Sequence, residues 1–357
     1  MATTRINEID LVRFIAALAV VFFHFTFRGY AADHMTIMPY PWLTSASKYG
    51  YLGVELFFMI SGFVILMSAA NGSLRDFVIS RVVRLYPAFW ACCTITFLAT
   101  LAIGGSSYFA SLSQYLVNMT MLSGFIGVPS IDGAYWSLFV ELRFYVLVVI
   151  ILMMGRIHQA QTFILLWLIA SVALEVVQIG KLRYLLITDY SSFFIAGATY
   201  FIILSKGMTL SRVSIILISW CLSIFQSIHN LREFENHYNT TISAVIVATI
   251  ITAFFALMML ISLRRTGIFG RTNWYLLGVL TYPLYLLHQN IGFMIFNIAY
   301  PVVNVHILLW STVFLFLTSA YAIHIFIEKP FAPKLKNALN TFADNLHREI
   351  GRLNRTL

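Results

Sequence analysis

The sequence predicts an all-α fold: a polytopic membrane bundle of about ten transmembrane helices with both termini in the cytoplasm. Three observations carry this expectation. The 357 residues are 60% hydrophobic and only 10% charged, where a soluble chain carries roughly a quarter charged residues. Mean hydropathy is +0.84, so lipid must be the solvent for much of the surface. Apolar stretches of about 20 residues recur with short polar gaps, each long enough to cross the hydrocarbon as a helix. The Lys and Arg residues between them fall unevenly on alternate loops, which orients the bundle.

The expected spans, in order, are Ile9–Phe27, Tyr51–Ala70, Leu85–Gly104, Ala134–Met154, Thr162–Gln178, Thr188–Ser205, Val213–Ile228, Thr240–Leu263, Trp274–Ile298 and Val305–Ile327. The fifth to seventh are the shortest. Backbone polar groups in lipid must be satisfied within each span, which leaves a helix bundle as the architecture. One set of loops carries Arg5, Arg75, Arg81, Arg84, Arg156, Lys206, Arg212, Arg264, Arg265, Arg271 and six residues of the C-terminal tail. The other set carries Arg28, Lys48, Lys181, Arg183 and Arg232, while Arg13 and Arg143 lie within spans. The basic set marks the cytoplasmic side. Residues 1–333 form the transmembrane domain. Residues 334–357 form a basic amphipathic cytoplasmic tail, with Leu335, Leu339, Phe342, Leu346, Ile350 and Leu353 at helical spacing and Lys336, Arg348, Arg352 and Arg355 between them. A solvated helix is the other reading of that segment. The uncharged stretch Ser111–Val128 has the composition to dip into the outer interface.

The formal net charge is +9, but 6 of the 23 Lys and Arg follow Ile327. The charge is therefore a topology signal, and no nucleic-acid partner is expected. Cys92, Cys93 and Cys221 sit in apolar runs and match neither a disulfide framework nor a metal site. The start, Met1–Glu8, is too polar for a signal peptide, so the first apolar run reads as a retained span. A multi-pass protein of the cell (inner) membrane follows.

Ionisable residues inside spans are costly and face cavities or partners. Arg13 and His24 lie in the first span, 11 residues apart, or roughly 16 Å along a helix and on a similar side. A lone membrane histidine is as often a packing residue. Glu55 shifts that balance, because it enters the second span at the depth where His24 leaves the first. A carboxylate there can orient an imidazole acting as general base. Arg81 and Arg84 form an Arg-x-x-Arg pair on one helical face, able to grip one polyanion or serving as plain topogenic charges. With Arg13 they suggest a phosphorylated cytoplasmic ligand. Glu141 follows Trp136-Ser137-Leu138-Phe139-Val140, and His288 closes Tyr282-Pro283-Leu284-Tyr285-Leu286-Leu287. Pro283 would kink that helix and free a carbonyl. A structural polar contact between helices competes with function at both Glu141 and His288.

On these residues the chain resembles the acyltransferase type 3 family of membrane O-acyltransferases. The matching pieces are Ile9-Asp10-Leu11-Val12-Arg13-Phe14 with His24, the block Gly50–Phe63 around Glu55, the Arg81/Arg84 pair, Trp136–Glu141, Tyr282–His288 and Glu328-Lys329-Pro330. They occur in order from about residue 5 to 333. The resemblance implies a ten-span bundle that moves an acyl group, usually acetyl from acetyl-CoA, to a hydroxyl of an extracytoplasmic glycan or glycolipid. It implies functional roles for Arg13, His24, Arg81 and Arg84. The expected assignments are catalysis by His24, Glu55 and Glu141, donor binding by Arg13, Arg81 and Arg84, and substrate contacts from Trp136, Tyr282 and His288. Some relatives carry a soluble extracytoplasmic domain that passes the acyl group on. None is expected in this chain, so that either it would acylate its acceptor directly or a partner protein would do so. His24 would act as general base or carry the acyl group covalently. The competing class is a transporter of a glycan precursor or proton-coupled solute, with His24, Glu55 and Glu141 as a relay. The lack of two-fold internal repetition weighs against it.

Overall fold

The computed structural model describes residues 5–31, 34–70 and 72–356, with the backbone alone at 347 and 350–356. Residues 1–4 and the side chains of Ile350, Arg352, Leu353 and Arg355, part of the expected tail, lie outside that description. Ten long helices correspond to the ten expected spans: α1 Asn7–Phe23, α2 Gly53–Ala70, α3 Leu74–Ile103, α4 Trp136–Met153, α5 Ala160–Val177, α6 Thr188–Lys206, α7 Leu210–His229, α8 Ala244–Ser262, α9 Tyr275–Ala299 and α10 Val305–Ile323. A further helix, α11, runs over Lys329–Thr356. There is no strand among the described residues.

Among the described residues, nine segments are long and apolar enough to cross a membrane by length and composition. The exception is α9, whose 25 residues give roughly 37 Å of helix but include Thr281, Tyr282, His288, Gln289 and Asn290. Its position explains the composition. It packs against α1, α3 and α10, and His288 and Gln289 are both 0% exposed. Protein buries most of the stretch Gly278–Phe296, so its polar groups find partners or cavities. The helix continues through Pro283.

Small residues set the closest crossings. A Cβ on Gly62 of α2 would stand 2.1 Å from the carbonyl oxygen of Phe194, and one on Gly197 of α6 would stand 1.8 Å from that of Met59. The two glycines let the α2 and α6 backbones touch, a packing mode suited to lipid, where close van der Waals contact replaces the hydrophobic drive. The helix α3 starts well ahead of the expected span, because Ser73 and Asp76 form a reciprocal capping box. Arg75, Arg81 and Arg84 are thus helical.

Two helices widen at their ends. His24–Arg28 forms a π-helical turn after α1, and His324–Glu328 forms another after α10. At the first, the Thr26 hydroxyl donates to the Phe22 carbonyl (2.8 Å), and the Thr44 hydroxyl donates to the Thr26 carbonyl (2.9 Å). Side chains thus satisfy backbone groups that the wider turn displaces.

Contacts sort the loops onto two ends of the bundle. At one end Glu8 is bonded to Thr266, Asn7 donates to the Gly270 carbonyl, and Arg75 pairs with Asp344 of α11. At the other, Lys48 donates to the Thr241 carbonyl and Tyr40 meets His306. Both described chain ends lie at the first.

Candidate active site

Three cavities lie in series through the bundle. The widest, about 910 Å³, opens at the end that holds both chain ends and is lined by Arg13, Arg84, Tyr275, His324 and Lys336 among others. A second, about 360 Å³, is lined by Arg13, Ser61, Arg81, Arg84, Glu141 and Tyr282. The first two share Arg13, Val64, Ser80 and Arg84. A third, about 350 Å³, is lined by His24, Arg28, Glu55, Trp136, Tyr190 and Asn230. It shares only Val54 and Tyr285 with the second.

The arginine cavity is built where α1, α2, α3, α4 and α9 meet. Arg81 is partly engaged, donating to Ser68 and Ser80 at 3.2 Å each and lying over the Phe77 ring. Arg13 and Arg84 have no hydrogen-bonded protein partner among the described residues. Glu141 accepts a hydrogen bond from the Ser61 hydroxyl at 2.5 Å, which ties the carboxylate to α2, and it acts on Arg13 through space without a hydrogen bond. The buried Tyr282 hydroxyl also has no partner.

The far cavity is organised by a buried pair of histidines. His24 Nε2 lies 3.2 Å from Arg28 Nη1, His24 Nδ1 lies 2.9 Å from His288 Nε2, and His288 Nδ1 lies 2.8 Å from the Tyr285 carbonyl. These contacts determine the tautomers. A guanidinium only donates, so His24 Nε2 accepts and its proton sits on Nδ1. That proton is donated to His288 Nε2, which leaves His288 Nδ1–H to donate to the carbonyl. The chain is consistent with both rings neutral and carries one direction, from Arg28 to Tyr285. It also presents the His24 Nε2 lone pair to the cavity, with Arg28 as its present partner.

Glu55 lines the same cavity, but its Oε2 has no partner. The imidazole of His24 is oriented by His288, not by Glu55 as the sequence suggested. Trp136 shares the cavity wall with Tyr190, whose ring lies 5.8 Å away. Glu141, grouped with His24 by sequence, lies instead in the arginine cavity, as does Tyr282. The structure thus brings together Arg13, Arg81, Arg84, Glu141 and Tyr282 on one side of Tyr285, and His24, Glu55, Trp136 and His288 on the other.

Three residues were missed by sequence reasoning. Arg28 was counted only as a loop charge, although four residues from His24 on a helix is a facing distance. Tyr285 separates the cavities, its hydroxyl donating to the Ala134 carbonyl (3.0 Å) and meeting Ser137 Oγ at 2.7 Å. Asp132, just ahead of α4, is 0% exposed and accepts from the backbone N–H groups of Ala134 (2.8 Å) and Asn290 (3.0 Å). Burial pushes its carboxyl up to about 6, against those two N–H groups and the positive field of Arg28. It staples the α3–α4 connection to α9 beside His288, and nothing in its local sequence signals that contact.

Fold and cavities together define a polytopic helical membrane protein with a chain of polar cavities running through its core. The chain belongs to the acyltransferase type 3 family, whose acyltransferase domain matches residues 6–328. It is 30% identical over 171 residues to nodulation protein 10 of Rhizobium leguminosarum bv. viciae, covering 42% of this chain and 45% of that protein. It is 28% identical over 155 residues to an O-acetyl transferase of Shigella phage Sf6, covering 40% of this chain and 44% of that one. The matched stretch is thus less than half the length of either relative. No solved structure matches the chain.

Proposed function

We propose that this protein is a membrane O-acyltransferase that takes an acyl group, acetyl by preference, from acyl-CoA at its arginine end and delivers it to a hydroxyl of a glycan or glycolipid at its histidine end. The arginine end is cytoplasmic, both termini lie there, and the protein resides in the cell (inner) membrane. Residues 1–333 hold the reaction and 334–357 form the basic cytoplasmic tail. The observation that carries the reading is the series of three cavities, with unpaired cations at one end and an oriented histidine at the other. The name of the phage relative supports acetyl as the group moved.

The residues present fit a nucleotide thioester. Arg13 and Arg84 offer unpaired guanidiniums where the wide cavity joins the second, and Arg81 lies on the same face of α3 as Arg84. Glu141 and Tyr282 line the way in towards Tyr285. At the far side His24 Nε2 removes the proton of the acceptor hydroxyl as its oxygen attacks the thioester carbonyl. The new ester C–O bond forms, the C–S bond breaks, and the departing CoA sulfur takes the proton back from His24. Arg28 leaves Nε2 as the hydroxyl arrives and donates to the carbonyl oxygen as it gains negative charge. His288 holds the Nδ1 proton and so keeps Nε2 free to accept. Glu55, Trp136 and Tyr190 surround the acceptor. Transfer is direct or is completed by an extracytoplasmic partner.

A His24→Gln variant tests this. It keeps polarity and much of the size but cannot take the proton. It should bind CoA normally and lose about 10²–10⁴-fold in acyl transfer. Transfer at near wild-type rate by a normally expressed variant would make His24 a packing residue.

A further inference from the structure

The widest cavity has a wall that the family match does not include. Helix α11 lies beyond residue 328, yet Lys329, Ala332, Lys336 and Asn340 line that cavity. At the pitch of an α-helix these four fall within a sector of about 80°. Phe331, Phe342 and Leu346 fall on another side and are 52%, 68% and 51% exposed, an apolar stripe suited to the membrane interface. Arg75 of α3 fixes the helix in this rotation, with Nη1 on Asp344 Oδ1 at 2.5 Å and Nη2 donating to both the backbone carbonyl (2.9 Å) and Oδ1 (3.0 Å) of Asn340.

The charges around the cavity are not balanced. Each lining carboxylate already has a protein partner. Asp10 is paired with Arg5 at 2.6 Å, Glu328 with His324 at 2.8 Å, and Asp76 accepts from the Ser73 hydroxyl at 2.8 Å in the α3 cap. The lining cations Arg13, Arg84, Lys329 and Lys336 have no hydrogen-bonded or ion-paired partner among the described residues. Lys336 acts on Asp76 only through space. A recess whose lining holds more cations than carboxylates, four of those cations without a hydrogen-bonded or ion-paired partner among the described residues, suits a ligand with more than one anionic group.

We infer that α11 completes the nucleotide end of the donor site, with Lys336, backed by Lys329, taking the ribose phosphate of a CoA-type donor. This rests on the acyl-CoA reading above. The pyrophosphate then lies where Arg13 and Arg84 join the two cavities, and the thioester points inward. The nucleotide occupies the wide cavity, closed on one side by α11.

The test compares equilibrium binding of CoA and dephospho-CoA to the full-length protein in detergent. Both lysines are exposed, so their substitution does not threaten the fold. The wild-type chain should prefer CoA. The Lys329→Ala/Lys336→Ala double variant should lose about 5- to 10-fold in CoA affinity, the low range for an exposed charge-assisted contact, with dephospho-CoA affinity unchanged. Lys336→Arg should keep the preference and Lys336→Glu should abolish it. An unchanged ratio of CoA to dephospho-CoA affinity in the double variant, with both still bound, would overturn the role of α11 and leave the acyl-CoA reading standing. Failure of the wild-type chain to bind either nucleotide would remove the acyl-CoA reading and this inference together.

Discussion

Replacing His288 by leucine removes the acceptor for the His24 Nδ1 proton and leaves every contact in the arginine cavity in place. In the present structure that proton is held at 2.9 Å, and His24 Nε2 faces Arg28 at 3.2 Å. Without His288 the imidazole has two states. It can keep its tautomer with a buried donor unpaired, or move the proton to Nε2, where it would face the N–H groups of Arg28. The cost of an unsatisfied buried donor is about 1–3 kcal/mol, which depletes the competent state by about 5- to 150-fold. His288→Leu should therefore lower kcat by that factor, less than the loss of the base in His24→Gln. His288→Gln has an amide oxygen that can accept from Nδ1–H and should recover much of the rate. Transfer from radiolabelled acetyl-CoA by protein reconstituted in lipid, with CoA affinity measured alongside, reads both quantities. A His288→Leu variant within twofold of wild type in kcat, with CoA affinity unchanged, would show that the histidine relay does not govern the base.

Arg84→Ala should weaken CoA binding by about 10-fold, and Arg84→Lys should restore part of it, since lysine lacks the planar fork; titration calorimetry decides, and equal affinities would leave Arg84 as a topogenic charge. Accessibility reporters at Gly72 and Gly207 should read cytoplasmic and those at Ser130 and Asn236 extracytoplasmic; reversal of either pair would invert the proposed direction of acyl flow. Gly197→Val should lower stability by about 3 kcal/mol or more, because its Cβ would fall 1.8 Å from the Met59 carbonyl oxygen. A thermal midpoint within about 2 °C of wild type would mean that the α2–α6 crossing relaxes at little cost.

Apolar run length revealed the ten helices, because lipid imposes one backbone solution on every span. It revealed α9 as well, although that helix is too polar to qualify by hydropathy alone, since its polar middle is flanked by the apolar stretches Leu276–Leu280 and Ile291–Phe296. Grouping residues by depth was less successful. Glu55 and His24 do share a cavity, but the rotation of α9 against α1 gives His24 to His288, and single-sequence periodicity does not report the phase between two helices. Glu141 went to the arginines for the same reason. Arg28 was hidden by the π-helical turn, which keeps it facing inward where a span boundary was expected. The lining role of Lys336 depends on a contact between α11 and α3 across more than 250 residues of chain, and no local pattern could announce it.

The narrow place at Tyr285 has a meaning for the cell that reaches past the chemistry. A membrane protein with polar hollows on both sides of its core risks offering a path to protons, which the potential across a bilayer drives at about 2.3 kcal/mol per charge per 100 mV. Only Val54 and Tyr285 are common to the cavities on the two sides, and the phenol is moored by Ala134 and Ser137. Val54 and the moored phenol thus form one layer of side chains between the two polar cavities, a partition that keeps the hollows apart while leaving them within close reach of each other.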